Sequence, residues 1–273
     1  MAQNYAAKYS PLVDERFTQA SLTEGAFNND YDWEGVSTVN VYSVATSEMN
    51  DYQMTGNQRY GTPDELGTTT QAMTLTQDKS FTFTIDRRNY TDQQMVTEAG
   101  RALRRQVDEK VIPAVDVYRI ATLAAGAGNT SAPTPITKEN AYEMFLGGVS
   151  TIMDNKAPLA GTFAFISPSF WKNIRLDTGF IKSGDLSQDM LVRGQVGVIE
   201  NVPIVFAPGM YFPPGVEFVV TNRIAALSPV KIADYKIHDN PPGINGWLVE
   251  GRIYYDTFVL NNKANAIYVH KSA

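Results

Sequence analysis

Two histidines, His238 and His270, stand far apart in a chain without cysteine. A zinc site would therefore draw most of its ligands from carboxylates, and neither histidine has a second ligand at metal-binding spacing. No serine occupies the Gly-x-Ser-x-Gly turn that exposes a hydrolase nucleophile. The run Gly126-Ala127-Gly128 follows a helical pattern, lacks a third glycine at dinucleotide-binding spacing, and reads as a helix stop. No Walker-type phosphate loop is present. Asp30, Asp32 and Glu34 could hold a hard cation, yet the glycine and spaced ligands of a calcium loop are missing, so a solvated turn is expected. The residue types exclude cofactor and metal chemistry more readily than they suggest any, and no cofactor is expected.

The basic residues point the same way. Arg87 with Arg88, and Arg101 with Arg104 and Arg105, could touch phosphates, but acids alternate with the second group at helix-pair spacing. An ion-paired face is expected there, and the formal charge of -6 argues against tight nucleic-acid binding. At 273 residues and 43% hydrophobic content the chain can bury a substantial core. Its first residues lack the apolar core of a signal peptide. No apolar stretch approaches the length that spans a bilayer, roughly 20 residues. A protein that stays in a reducing cytoplasm, without membrane contact, is the expectation. The Asn-x-Ser/Thr matches at Asn89 and Asn129 then carry no meaning.

Residues from Pro11 to Phe27 have helical spacing and suggest a short helix in an N-terminal arm. Val36 to Ala45 alternates Val39 and Val41 with Thr38, Asn40 and Tyr42, the period of a strand. From Ser47 to Gln71 the composition turns polar, with Gly56, Gly61, Pro63 and Gly67 as breakers. Alternation returns over Met73 to Asp86, so the unit reads as two strands carrying a long polar loop. Such a loop is uncommon in a compact domain. Its Arg59, Tyr60, Asp64 and Glu65 suit a projection ordered by lying on another subunit.

Thr91 is placed to cap a long helix that runs to Gly126, about 33 residues or roughly 50 Å. Pro113 should kink or break it near 109 to 113. Arg101, Arg104 and Arg105 have acids three or four residues away along it. Beyond Pro135 the pattern alternates helix and strand. A helix capped by Thr137 runs to Asp154, Thr162 to Ile166 is a buried strand, and Ser167-Pro168 opens another helix. Val196–Ile199 and Val202–Phe206 form a hairpin about Glu200 and Asn201. Val216–Thr221, Trp247–Leu260 and Ala266–His270 complete the strands.

This order of parts resembles the Hong Kong 97-type fold of tailed-bacteriophage major capsid proteins. The likeness rests on Val39 to Tyr42, on Arg59-Tyr60-Gly61-Thr62-Pro63, on Phe81 to Arg87, on Val196 through Val205, and on Tyr255 to Leu260 followed by Ala266 to Val269. It implies an α+β chain with an N-terminal arm over 1–35, an extended β-hairpin loop over 36–90, and a spine helix and peripheral domain over 91–132. An axial α/β domain over 133–246 and C-terminal strands over 247–273 that return to the peripheral domain follow.

The resemblance further implies a non-enzymatic subunit that assembles with itself into the hexamers and pentamers of an icosahedral shell. That shell would enclose double-stranded DNA without sequence-specific binding, and would be built in the bacterial host cytoplasm with scaffold, portal and possible decoration proteins. No long N-terminal scaffolding extension is seen, which implies a separate scaffold or a processed terminus, and no autocatalytic crosslink is expected. Arg59, Tyr60, Asp64, Glu65, Arg101 and Arg105 are the candidate subunit-interface residues. An encapsulin-like nanocompartment shell is the alternative of the same architecture, and an unrecognised hydrolase the distant one.

Overall fold

A computed structural model describes residues 21–28, 38–63, 65–88, 99–177, 179 and 197–272. The first two strands, β1 (Thr38–Val44) and β2 (Thr68–Thr74), pair antiparallel, with Val39 opposite Met73 and Thr38 opposite Thr74. The return strand is thus a threonine-rich stretch, most of it within the expected polar loop. β-Branched Thr68, Thr69 and Thr70 favour extended backbone without supplying apolar alternation, so periodicity alone misses them. The next strand, β3 (Gln77–Asp86), leaves the hairpin for a second sheet, in the order β10 (Val230–Asp239), β11 (Gly246–Tyr255), β3. In that sheet Phe83 faces Val249, and Gly251 lies between Phe81 and Tyr235. A Cβ on Gly251 would sit 2.4 Å from the Phe81 ring, so the glycine is what lets that ring cross the sheet.

Against this sheet runs a helix in two α-helical parts, α1 (Ala99–Gln106) and α2 (Ile112–Ala125), joined by the π turn Val107–Val111. Of the kink or break expected from Pro113 near 109 to 113, the structure shows an interruption of the α-helical pattern just ahead of the proline, without an end to the rod. A proline deprives the carbonyl four residues earlier of its donor and crowds it. The chain answers by widening one turn ahead of the proline, where the Ile112 N–H bonds to Val107 O instead of to the carbonyl one residue nearer. The expected start at Thr91 and most of the expected arm helix lie outside the described residues; of the arm, Glu24–Ala26 form one 3₁₀ turn.

The larger sheet has six strands in the order β4 (Asn129–Thr130), β13 (Ile267–Lys271), β8 (Val216–Asn222), β5 (Thr162–Ile166), β7 (Val202–Phe206), β6 (Val198–Ile199). Alternation along these strands builds a core on each face. Phe165, Val219, Ile267 and Val269 meet Ile120 and Leu123 of α2. Ala164, Ile166, Phe218 and Val220 meet Phe145 and Phe170 of α3 (Ala141–Asp154) and α4 (Pro168–Leu176). Phe170 and Phe218 lie 4.7 Å apart, and Ser167 caps α4 by accepting the Phe170 N–H at 3.1 Å. The Ser-Pro pair predicts that cap. Glu200 and Asn201 both take positive φ, 50° and 63°. They form the two-residue turn expected between β6 and β7.

Three expectations need correction. First, α3 begins at Ala141 instead of Thr137, because the Thr137 N–H bonds to Asn140 Oδ1 and ties residues 137–140 into a turn. Second, the closing strands divide: β11 joins the three-stranded sheet, but β13 enters the six-stranded one between β4 and β8. Largely buried, β13 gains more there than at a sheet edge. Between them, β12 (Phe258–Val259) pairs with β9 (Ala226–Leu227) and residues 261–266 turn the chain. Third, β10 goes unread in the sequence, because most of its residues are exposed or polar, so it lacks the apolar alternation that marks a half-buried strand. Among the described residues no helix is long and apolar enough to cross a membrane.

Candidate assembly interface

The hairpin is fastened to the body where β2 gives way to β3. Thr76, between them, donates its N–H and its hydroxyl to Asp256 Oδ2 at 2.7 and 2.9 Å. Oδ1 of the same carboxylate accepts the Tyr118 hydroxyl and the Thr257 N–H, both at 2.7 Å. One buried carboxylate therefore joins the hairpin, the spine helix and the chain after β11. Burial, and then the bond to Asp256, pushes the Tyr118 hydroxyl above its ordinary pKa. Gln71 adds a two-way clamp, donating to Val259 O at 2.9 Å and accepting the Asn261 N–H at 3.0 Å. Met73 and Leu75 pack with Leu227 and Leu260 beneath it, with Val39 and Val41 at the margin.

Beyond this base the hairpin projects. The Ala45 N–H reaches Gly67 O at 2.9 Å, and among the described residues the bonds of the chain between them run to itself: Gln53 N–H to Arg59 O, Gly61 N–H to Gln58 O, and the Arg59 Nε–H to Gly56 O at 3.3 Å. Tyr52 and Tyr60 meet edge to face at 5.1 Å. Gly61 takes φ 86°, and a Cβ there would lie 2.6 Å from Asn50, so this turn requires glycine. Of the fifteen large hydrophobic residues exposed among the described ones, seven (Tyr42, Val44, Met49, Tyr52, Met54, Tyr60, Leu66) lie on this hairpin. Met49 is fully exposed and Tyr60 84% so. Such a concentration makes the hairpin the candidate contact surface of the chain.

The structure puts Arg59 and Tyr60 together in the loop's inner turn and leaves Glu65 exposed near its return; Asp64 lies outside the described residues. Arg101 and Arg105 lie apart from them, on α1. Arg105 pairs with Glu109 at 3.5 Å and Arg104 with Asp108 at 3.7 Å. This is the helical spacing the sequence predicts. The acidic cluster Asp30, Asp32 and Glu34 lies outside the described residues, and among those described no group of His, Cys, Asp and Glu could hold a metal. His270 stacks on Phe218 at 5.0 Å with Nε2 3.0 Å from Thr134 O, and His238 meets Glu250 at 3.1 Å on the open sheet face. Gly128 abuts the backbone of Ala264 and Asn265, so the Gly-x-Gly run is a tight helix end.

Sequence reading missed a buried charged pair. Asp116 and Arg119, one turn apart in otherwise apolar α2, approach to 3.8 Å. Asp116 accepts from Ser21 Oγ, Leu22 N and Thr23 Oγ1 at 2.9, 2.9 and 2.6 Å. Arg119 donates to Ser228 Oγ at 2.8 Å and stacks over Phe27. Burial lowers the Arg119 pKa, and the Asp116 charge opposes that. An acid and a base three apart on an apolar helix was the available signal, since neither is buried without a partner. Together they seat residues 21–28 on the spine helix.

A model of the family described as phage capsid protein matches residues 67–269 of the chain. Nothing matches among curated protein sequences. Among solved structures, the chain superposes on one from Mycobacterium phage Che8 with a TM-score of 0.69 at 16% identity, covering 99% of this chain and 98% of that one. The mature capsid of bacteriophage PhiM1 gives 0.70 at 11% identity, covering 99% and 92%. The head of Helicobacter pylori bacteriophage KHP40 gives 0.71 at 10% identity, covering 98% and 95%.

Proposed function

The chain belongs to the phage capsid protein family, as a major capsid protein of the tailed phages with the Hong Kong 97-type fold, and from that premise we propose that its projecting hairpin clasps a neighbouring copy in the shell. The supporting observation is the run of exposed Tyr42, Met49, Met54, Tyr60 and Leu66 on a hairpin whose base is buried and bonded. Its base is ordered by the chain's own body, and its tip offers apolar surface with nothing of its own to cover.

Copies joined tip to body form a heterologous contact, which closes into rings when the angle permits. Hexamers and pentamers of this kind, tiling an icosahedral shell around double-stranded DNA, are the assembly we infer. In it the three-stranded sheet and spine helix form the peripheral region and the six-stranded sheet with α3 and α4 the axial one. Arg59, Tyr60, Asp64 and Glu65 belong to the clasp, and Arg101 and Arg105 to the face it meets. Scaffold and portal proteins are partners of that assembly, and the host cytoplasm is where it takes place. Replacing residues 46–66 by an Asn-Gly turn tests the clasp. The expected product is a folded subunit, unchanged by circular dichroism, that forms no closed particles by negative-stain microscopy; normal particles from that variant would dismiss the reading.

A further inference from the structure

Resting on that reading of the hairpin, we propose that its receptor on the neighbouring copy is the groove between the π turn of the spine helix and strand β3, gripped through Lys79 and Lys110. The groove encloses about 260 Å³. Small-molecule sites begin at about 300 Å³, so it suits inserted side chains better than a ligand. Its floor is apolar, from Phe81, Val111, Ala114 and Ile253, and the two lysines stand exposed at its rim. Neither lysine has an ion pair among the described residues.

The charges around the groove differ. Arg104, Arg105, Lys236 and Arg252 each have a carboxylate within reach along their own helix or sheet. The larger concavity on the open face of the three-stranded sheet, about 510 Å³, is lined by such satisfied charges: Asp234 with Lys236, and Arg252 with Asp78. A partner there would have to break existing pairs. At the groove by the π turn it would complete two.

The hairpin tip carries what the groove lacks. Between Ala45 and Gly67 the sequence holds Glu48, Asp51, Asp64 and Glu65 against Arg59 alone. The exposed Met49, Met54, Tyr60 and Leu66 are interspersed among them. Acids beside large flexible or aromatic side chains match two lysines beside an apolar floor, in both sign and polarity. Strand β3 adds a second means of attachment: it is an edge strand, paired only with β11 among the described residues, so its outer backbone groups can receive an extended segment. The widened turn serves the same end, since it lies beside the groove and presents Val111 and Lys110 to it.

The test is a charge swap in the full chain, read by the fraction assembled in sedimentation and microscopy. Lys79→Glu with Lys110→Glu should lower assembly at least about tenfold, the factor that about 1.4 kcal/mol represents, while leaving the melting temperature of the subunit unchanged. Asp51→Lys with Glu65→Lys should do the same from the other side. Combining all four should restore particles. Normal assembly by the two-lysine variant, or no restoration by the combination, overturns the groove as receptor but leaves the clasp standing. Normal assembly after replacement of residues 46–66 removes the clasp itself, so the two failures are told apart.

Discussion

Changing Asp256 to Asn retains the size of the side chain and removes half of its accepting capacity. In the native chain Oδ2 takes the Thr76 N–H and hydroxyl, and Oδ1 takes the Tyr118 hydroxyl and the Thr257 N–H. Whichever way the amide is turned, its NH₂ faces one hydroxyl and one backbone N–H. The hydroxyl can rotate and accept; the backbone N–H cannot. One donor is thus stranded at a site where Asp256 itself is 3% exposed. A stranded buried donor costs about 1–3 kcal/mol. For a chain of this size that amounts to a fall in melting temperature of roughly 4–8 °C at about 2 kcal/mol. Calorimetry should use the variant with residues 46–66 replaced, so that assembly does not add to the measured stability. The amides of β2 should also exchange faster, because Thr76 is where the hairpin is tied to the body. A melting temperature indistinguishable from the parent's would show that Asp256 does not organise the junction, and the argument for a fastened hairpin base would fail with it.

Two other perturbations follow from the three-stranded sheet. The hydrogen bond and charge of Arg252 hold the Asp78 carboxyl below its usual range. A depressed acid stabilises the fold above its unfolded pKa and loses that contribution as pH falls through the folded value. Arg252→Ala should return Asp78 toward the ordinary carboxylate range in an NMR titration, and an unmoved titration would contradict the pairing. Gly251→Val places carbon where the Phe81 and Tyr235 rings lie, 2.4 and 2.8 Å from a Cβ. It should destabilise the subunit by about 1–3 kcal/mol in urea unfolding, and a neutral result would mean the rings move aside freely.

Local signals were legible where they were sufficient by themselves. The alternation of Val39 and Val41 located β1, Ser167 before Pro168 located the start of α4, and Glu200-Asn201 located a two-residue turn. Each depends on a few adjacent residues and on rules that tertiary contacts seldom reverse. The misses share one feature, that distant residues decided them. Thr68–Thr74 has no apolar alternation, and is a strand because β1 pairs with it. Pro113 reads as a kink or break, and the form the disturbance takes, a widened turn, cannot be inferred from a single proline. Asp256 looks like one more acid after a strand; its role depends on Tyr118 and Thr76, 138 and 180 residues away. Among the proposed interface residues, the loop set could be nominated from sequence because a polar stretch that builds no core demands an explanation. The proposed Lys79 and Lys110 could not be, because only the fold brings a strand residue and a helix residue to one groove.

The junction and the tip divide the work of the hairpin. The bonds at Asp256 and Gln71 lie within one chain, so the take-off direction of the hairpin is set before any partner arrives and costs nothing at the moment of contact. The tip, by contrast, among the described residues bonds to itself and leaves its apolar side chains in water. A contact made of scattered apolar groups and a few charge pairs is weak when made once. In the proposed ring, every copy would give one tip and receive another, so a closed ring has as many contacts as subunits whereas an open chain lacks one. Closure is favoured by that last contact, which is made without the loss of a further free subunit. On the proposed clasp, a preset direction with a weak tip would give subunits that remain apart when dilute and close cooperatively when concentrated. Strengthening the tip without regard to direction would instead trap open and misangled chains.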